Sequence, residues 1–180
     1  QIQVNVEDCG CPIDNNKLDQ PAITSFCGES DNMTLIGSTP SPAGGEFLWQ
    51  YSTDGSNFTD AGSTNNGKDY TTGKLSEGTH YFRRKYSTTS GYICEKLSDI
   101  VTIVVKSKPL QPVINNNSPV CEGSTIVLQT TPVTGASYQW LSPGGAVVST
   151  NISYTITNAD AAAKGNYQLQ IEISGCKSEL

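Results

Sequence analysis

Six cysteines, one histidine and a short run of acidic and amide side chains are the residues whose types and spacing could do chemistry. Cys9, Cys11, Cys27, Cys94, Cys121 and Cys176 form an even set, contain no Cys-x-x-Cys zinc pair and sit among Gly, Ser and Asn. Such a set reads as disulfide chemistry in an oxidising, extracytoplasmic compartment. Cys9, Cys11 and His80 fall short of the ligand count of a structural zinc site, and His80 lies far along the chain. A triad would have to be built on His80 alone, and no set of nucleophile, base and orienter can be named. Neither an enzyme nor a bound cofactor is therefore expected. Asp54, Asn57 and Asp60 place oxygen ligands on one loop and are the weak calcium candidate. Calcium prefers about six to eight oxygens, however, and Asp54-Gly55 already has a turn to make, so no metal is expected. Arg83-Arg84-Lys85 is the densest basic run, but strand alternation puts Arg84 opposite its neighbours and breaks the patch.

The elements that position these residues are short strands. Of the 180 residues, 36% are hydrophobic, below the usual 45–50% or so, while Gly is frequent and Pro recurs. That composition suits strands and turns rather than a helical bundle. A net charge of −6 argues against nucleic acid and anionic membranes, which need a basic surface. The longest apolar run, Ile100 to Val105, is far too short to cross a bilayer, so membrane insertion is not expected. An N-terminal Gln fits a mature protein exported by the general secretory route after its signal peptide is removed.

The chain carries one plan twice. The first copy reads Cys27-Gly-Glu-Ser, Met33-Thr-Leu35, Phe47-Leu-Trp49-Gln-Tyr51, Tyr70, Gly78-Thr-His-Tyr81 and Gly91-Tyr-Ile-Cys94. The second reads Cys121-Glu-Gly-Ser, Ile126-Val-Leu128, Tyr138-Gln-Trp140-Leu, Tyr154, Gly165-Asn-Tyr167 and Gly175-Cys176. Runs with period-two alternation are separated by Gly, Pro, Asp and Asn. Asp54-Gly55 and Pro143-Gly144-Gly145 each predict a hairpin after the Trp strand, and Ala159 to Lys164 is the one stretch that could make a helical turn. Strands at this spacing around a central Trp, with a Tyr after a late Gly, predict an all-β chain of two tandem immunoglobulin-like β-sandwiches. Trp49, Trp140, Leu35 and Leu128 are expected in the cores, with Tyr81 and Tyr167 as tyrosine corners.

Both copies resemble the cysteine-bearing Ig-like (PKD-like) repeats that occur in tandem in large surface and secreted proteins of Bacteroidetes, many of them exported adhesins. The motifs that carry this are the opening Cys before a Gly, Trp49-Gln-Tyr-Ser-Thr-Asp-Gly-Ser-Asn-Phe58, Tyr138-Gln-Trp140, the Gly-x-Tyr corner and the closing Cys. The resemblance covers about residues 20 to 180 and implies spacer or binding modules. One opening and one closing cysteine per repeat suggests Cys27 with Cys94 and Cys121 with Cys176, leaving Cys9 and Cys11 unassigned. In a standard Ig topology those positions lie at opposite ends, so such bridges require a bent strand.

Expected boundaries are an N-terminal strand and connector at 1–19, one sandwich at 20–106, a proline-containing linker at 107–112 and a second sandwich at 113–180. Two prolines make the linker a semi-rigid spacer. After Cys94 the first copy continues through Ile100 to Val105, its last strand, whereas few residues follow Cys176 and the second copy is short of its counterpart. Ile2, Val4 and Val6 alternate like a strand without a sandwich. They could belong to a longer array, add to the first sandwich, or be donated to another copy of the chain and build a filament. The expected function is a noncatalytic structural or adhesive segment of a secreted or cell-surface bacterial protein. Its partners would be other repeats, other copies, or a surface glycan or protein ligand. The alternative is a carbohydrate-binding accessory module of a secreted enzyme, with Tyr51, Phe58, Tyr70 and Tyr92 as its aromatics.

Overall fold

The computed structural model describes residues 10–62, 64–88 and 94–180, and divides the chain into units at 1–106 and 107–180. Ile2, Val4, Val6, Cys9 and Tyr92 lie outside the described residues.

In the first unit the strands are β1 (Ser25–Cys27), β2 (Thr34–Leu35), β3 (Glu46–Ser52), β4 (Thr59–Asp60), β5 (Tyr70–Thr71), β6 (Gly78–Ser87), β7 (Glu95–Leu97) and β8 (Val101–Lys106). One sheet runs β1-β8-β6-β3-β4, with β7 also on β6, and β2 pairs with β5 in the other. All pairs are antiparallel except β1 with β8. Alternation explains the layering: along β6, His80, Phe82, Arg84 and Tyr86 point inward and are buried, while the residues between them are half-buried. Leu35, Trp49, Phe82, Val101 and Ile103 form the core, with Leu18 and Ala61 at its margin.

Residues 11–19 are part of this unit rather than a connector outside it. Bridges join Asp14 to Ser41 and Leu18 to Gly37, and Ile13, Asn16 and Leu18 are buried. Apolar side chains at 13 and 18 and a hydrogen-bonding Asn between them hold this segment to the sandwich.

The second unit contains β9 (Ile114–Asn116), β10 (Ile126–Thr130), β11 (Ser137–Leu141), β12 (Val147–Ser149), β13 (Ser153–Ile156), β14 (Gln168–Ile173) and β15 (Cys176–Lys177). Its sheets run β13-β10-β9 and β12-β11-β14-β15. Leu128, Trp140 and Leu169 are its buried cluster, bordered by half-buried Ile114, Ile126, Tyr138, Val148, Tyr154 and Tyr167. The predicted hairpins turn at Gly55 and Gly145, whose φ angles of 73° and 80° favour glycine. The helical turn is a 3-10 segment at Ala161–Ala163, capped by the Asp160 carboxylate, which accepts from the Ala162 N–H at 2.9 Å. β15 pairs Cys176 with Ile173 and Lys177 with Glu172, at the end of β14 that corresponds to the end of β6 where β7 lies.

Candidate functional site

The two tryptophans hold equivalent places. Each is fully buried, and each indole N–H donates to a carbonyl 2.9 Å away, Gly67 for Trp49 and Asn151 for Trp140. Neither is a platform for a ligand. The cross-strand neighbour of Trp49 is Arg84, whereas that of Trp140 is Leu169.

Arg84 is the feature that sequence reasoning missed. Its side chain is fully buried, with the guanidinium carbon 4.7 Å from the Phe47 ring centre and 5.9 Å from that of Trp49. Its Nε and Nη2 donate to Asn16 Oδ1 at 3.0 and 2.8 Å, Nη2 to Ser38 O at 2.9 Å and Nη1 to Lys68 O at 2.6 Å. The Asn16 amide in turn donates to Arg84 O at 3.2 Å and Lys96 O at 2.7 Å. Burial pulls the guanidinium below its usual value, opposed by the charge of Asp69 and by Tyr86. Gly37 makes room: a Cβ there would stand 1.8 Å from Arg84 Nη1. The signal for this cluster was the inward parity Arg84 shares with Phe82 and Tyr86; its partner Asn16 had none.

His80 is also structural. Its Nε2–H donates to the Ser76 carbonyl at 2.8 Å, which leaves Nδ1 to accept from the Tyr51 hydroxyl at 2.8 Å. Tyr70 stacks on Trp49 with ring centres 5.6 Å apart, and Arg83 lies over Phe58 at 3.9 Å. The aromatics named for sugar stacking are therefore engaged in packing among the described residues. Tyr81 and Tyr167 are not equivalent. Tyr81 lies on the outer face of β6 with its ring against Gly55, so it is not a core residue, while Tyr167 points inward, 6.1 Å from the ring of Tyr154. A shift of one residue along a strand reverses the face.

The loop with Asp54, Asn57 and Asp60 is a closed turn. Asp54 accepts from Ser52 Oγ and the Ser56 N–H at 2.8 Å, the Asn57 N–H at 2.7 Å and Asn57 Nδ2 at 2.6 Å. Those bonds, led by the Asn57 backbone, hold its carboxyl below the usual carboxylate range. Asp60 sits in β4 opposite Gln50. The carboxylate of Asp54 is occupied by the turn, and no metal-binding cluster of His, Cys, Asp or Glu occurs among the described residues.

The cysteine pairing differs from the expected one. Cys94 is bonded to Cys11, with Cα atoms 5.6 Å apart, and Cys121 is an exposed free thiol. Cys27 and Cys176 are each disulfide-bonded. The reason is strand length. Cys27 is in register with Lys106 at the Gly78 end of β6, whereas Cys94 precedes Glu95, which pairs with Ser87 at the other end. A strand of this length spans about 30 Å, while a disulfide tolerates a Cα separation of about 7 Å. Likewise, Cys121 lies near Tyr167, before β14, and Cys176 follows the far end of that strand.

The second unit carries a concavity on its surface. It is a groove of about 880 Å³ whose lining includes Ile114, Val120, Cys121, Ile126, Ala163 and Tyr167.

Residues 20–107 match the family model described as Domain of unknown function (DUF8696), and residues 109–180 match Ig-like domain CHU_C associated. No curated protein matches the sequence. Among solved structures, an amphioxus IgVJ-C2 molecule aligns at 15% identity over 85% of this chain and 94% of its own, with a TM-score of 0.35. The N-terminal four Ig domains of Dscam1 isoform 9.44 (with zinc) align at 14% identity over 93% of this chain and 45% of theirs, with a TM-score of 0.34. The N-terminal eight Ig domains of Down Syndrome Cell Adhesion Molecule isoform 1.30.30 align at 14% identity over 93% and 26%, with a TM-score of 0.36. The chain thus spans less than half of either of these two multi-domain structures. It is an all-β chain whose second unit is similar to the CHU_C-associated Ig-like domain.

Proposed function

We propose that the chain is a noncatalytic structural or adhesive segment of an extracellular or cell-surface protein, reached by the general secretory route. The observation that carries this is the Cys11–Cys94 disulfide, which fastens the edge segment at 11–19 to β7. Disulfides of this kind persist in oxidising compartments. The absence of a catalytic role is supported by the use made of the reactive side chains: Arg84, His80 and Asp54 are each engaged in several internal hydrogen bonds. The partners that suit such a segment are other repeats of the same protein.

The test is disulfide mapping after rapid alkylation of source cells, combined with surface labelling by a membrane-impermeant biotin ester. The expected outcome is a labelled protein yielding a Cys11–Cys94 cross-linked peptide. Both residues recovered as free thiols in an unlabelled cytosolic pool would overturn the proposal.

A further inference from the structure

A single Asn-Gly pair occurs in the sequence, Asn66-Gly67, and it sits in the loop between β4 and β5 of the first unit. The carbonyls of this loop serve buried groups. Asn65 O accepts from the Trp49 main-chain N–H at 2.6 Å, Gly67 O from the Trp49 indole N–H at 2.9 Å and Lys68 O from Arg84 Nη1 at 2.6 Å. The loop is tight where it makes these bonds. A Cβ on Gly67 would stand 2.9 Å from Asp69 O, so residue 67 is a glycine for want of space.

The same missing Cβ leaves the Gly67 nitrogen unhindered beside an asparagine. Asn66 is exposed, and neither its side chain nor the Gly67 N–H makes a hydrogen bond among the described residues. Several other asparagines are held. Asn15 Nδ2 donates to Thr39 O at 3.0 Å, Asn57 Nδ2 to Asp54 Oδ2 at 2.6 Å and Asn117 Nδ2 to Thr125 O at 3.0 Å. Asp54-Gly55, the comparable acidic pair, is held as well, since the Asp54 carboxylate accepts from its own turn and the Gly55 N–H donates to Ser52 Oγ at 3.0 Å. Groups fixed in this way react only through local opening, and Asn66 needs none.

We propose that Asn66 is a site of spontaneous covalent modification, at which the folded chain converts an α-linked asparagine to a β-linked isoaspartate and so loosens the tryptophan core. Gly67 N attacks Asn66 Cγ, forming the N–Cγ bond of a succinimide, while the Cγ–Nδ2 bond breaks and ammonia leaves with the proton from Gly67 N. Water then opens the ring. Addition at Cγ yields aspartate, whereas addition at the Asn66 main-chain carbonyl carbon yields isoaspartate, whose main chain runs through the former side chain and is one methylene longer. That methylene falls between the Asn65 and Gly67 carbonyls, which together receive both N–H groups of Trp49. A longer path between them carries one acceptor away from Trp49, and a buried donor that loses its acceptor is destabilising. This inference stands independently of the proposed function.

The test ages the full folded chain in mildly alkaline buffer and follows it by peptide mapping with electron-transfer fragmentation, which distinguishes isoaspartate from aspartate. Asn66 is expected to convert about tenfold faster than any other asparagine of the folded chain. The first unit of the aged chain should unfold roughly 5 °C lower than that of fresh chain, with the Trp49 indole N–H resonance displaced and that of Trp140 unmoved. Asn66→Gln should neither convert nor lose stability on ageing. Asn66→Asp, which adds the new charge to an α-linked chain, should keep the midpoint of fresh chain. Asn66 intact in the folded chain, under conditions that convert it in chain unfolded by denaturant, would overturn the site. Isoaspartate at 66 without a fall in the midpoint of the first unit, or an equal fall in fresh Asn66→Asp, would overturn the effect on the core.

Discussion

The two units place different residues at one position. Opposite the buried Trp, the first carries Arg84 and the second Leu169. Both are fully or almost fully buried, at 0% and 1% exposure. The leucine needs nothing beyond apolar neighbours. The arginine requires Asn16, two backbone carbonyls, a glycine at 37 and an extra edge segment that brings Asn16 into place. A buried charge is tolerated where its donors are satisfied, and the surrounding chain is organised around that requirement. The first unit has residues 11–19 built into it and fastened by Cys11–Cys94, while the second has a smaller buried cluster and a groove beside it. Small sandwiches bury a limited fraction of their surface, so each such difference bears on stability.

The most disruptive way to test this contrast is to exchange the residues. Leu169→Arg puts a guanidinium into a site with no arranged acceptors and is expected to cost more than about 4 kcal/mol, unfolding the second unit alone. Hydrogen exchange should show protection lost over 107–180 and kept over 10–106; a unit that stays protected would mean that the position does not set the contrast. Cys11→Ser comes next. The bridge closes a separation of 83 residues, worth about 4–5 kcal/mol in the chain-entropy model, and denaturant unfolding should register that loss in the first unit only.

Asn16→Ala removes the acceptor of two of the buried Arg84 N–H groups and should cost about 3 kcal/mol, again confined to the first unit. A change below about 1 kcal/mol would show that Ser38 and Lys68 suffice. Ser98→Ala and Ser178→Ala probe one kind of bond made in both units, the serine hydroxyl accepting from the Arg84 N–H in the first and from the Ile171 N–H in the second, two residues apart in the Trp register. Each is expected to cost about 1 kcal/mol, and unequal losses would show that the two strand edges differ energetically. The smallest effect is acid sensitivity of the Asp54 turn. Its carboxyl titrates below the usual range in the folded chain, so the turn's contribution is complete above about pH 4 and fades as pH falls through the lower, folded value. Amide exchange at Ser56 and Asn57 should rise at acid pH in the natural chain, and the rise should be absent in Asp54→Ala.

Legibility in the sequence followed the range of the interaction. Trp49, Leu35, Trp140 and Leu128 announce themselves because alternation is local, and Asp54-Gly55 and Pro143-Gly144-Gly145 declare turns by backbone preference. The inward face of Arg84 was also readable by parity, since it shares that parity with Phe82 and Tyr86. Its partner was not, because Asn16 lies 68 positions away and nothing in its neighbourhood marks it. The equivalence of Tyr81 with Tyr167 failed for a related reason: aligning them by the preceding Gly ignored the register against the Trp strand, and one residue of slip turned Tyr81 to the outer face.

By itself the sequence determined an all-β chain, the core tryptophans and the turns, since composition and short-range periodicity encode these directly. The tertiary structure decided which cysteine meets Cys94, that a charge sits beside Trp49, that residues 11–19 belong to the first unit, and where the second carries its groove. Those outcomes depend on the lengths of strands and on which ends they bring together. A cysteine pair that looks natural by order in the chain is excluded when a strand of about 30 Å lies between its members.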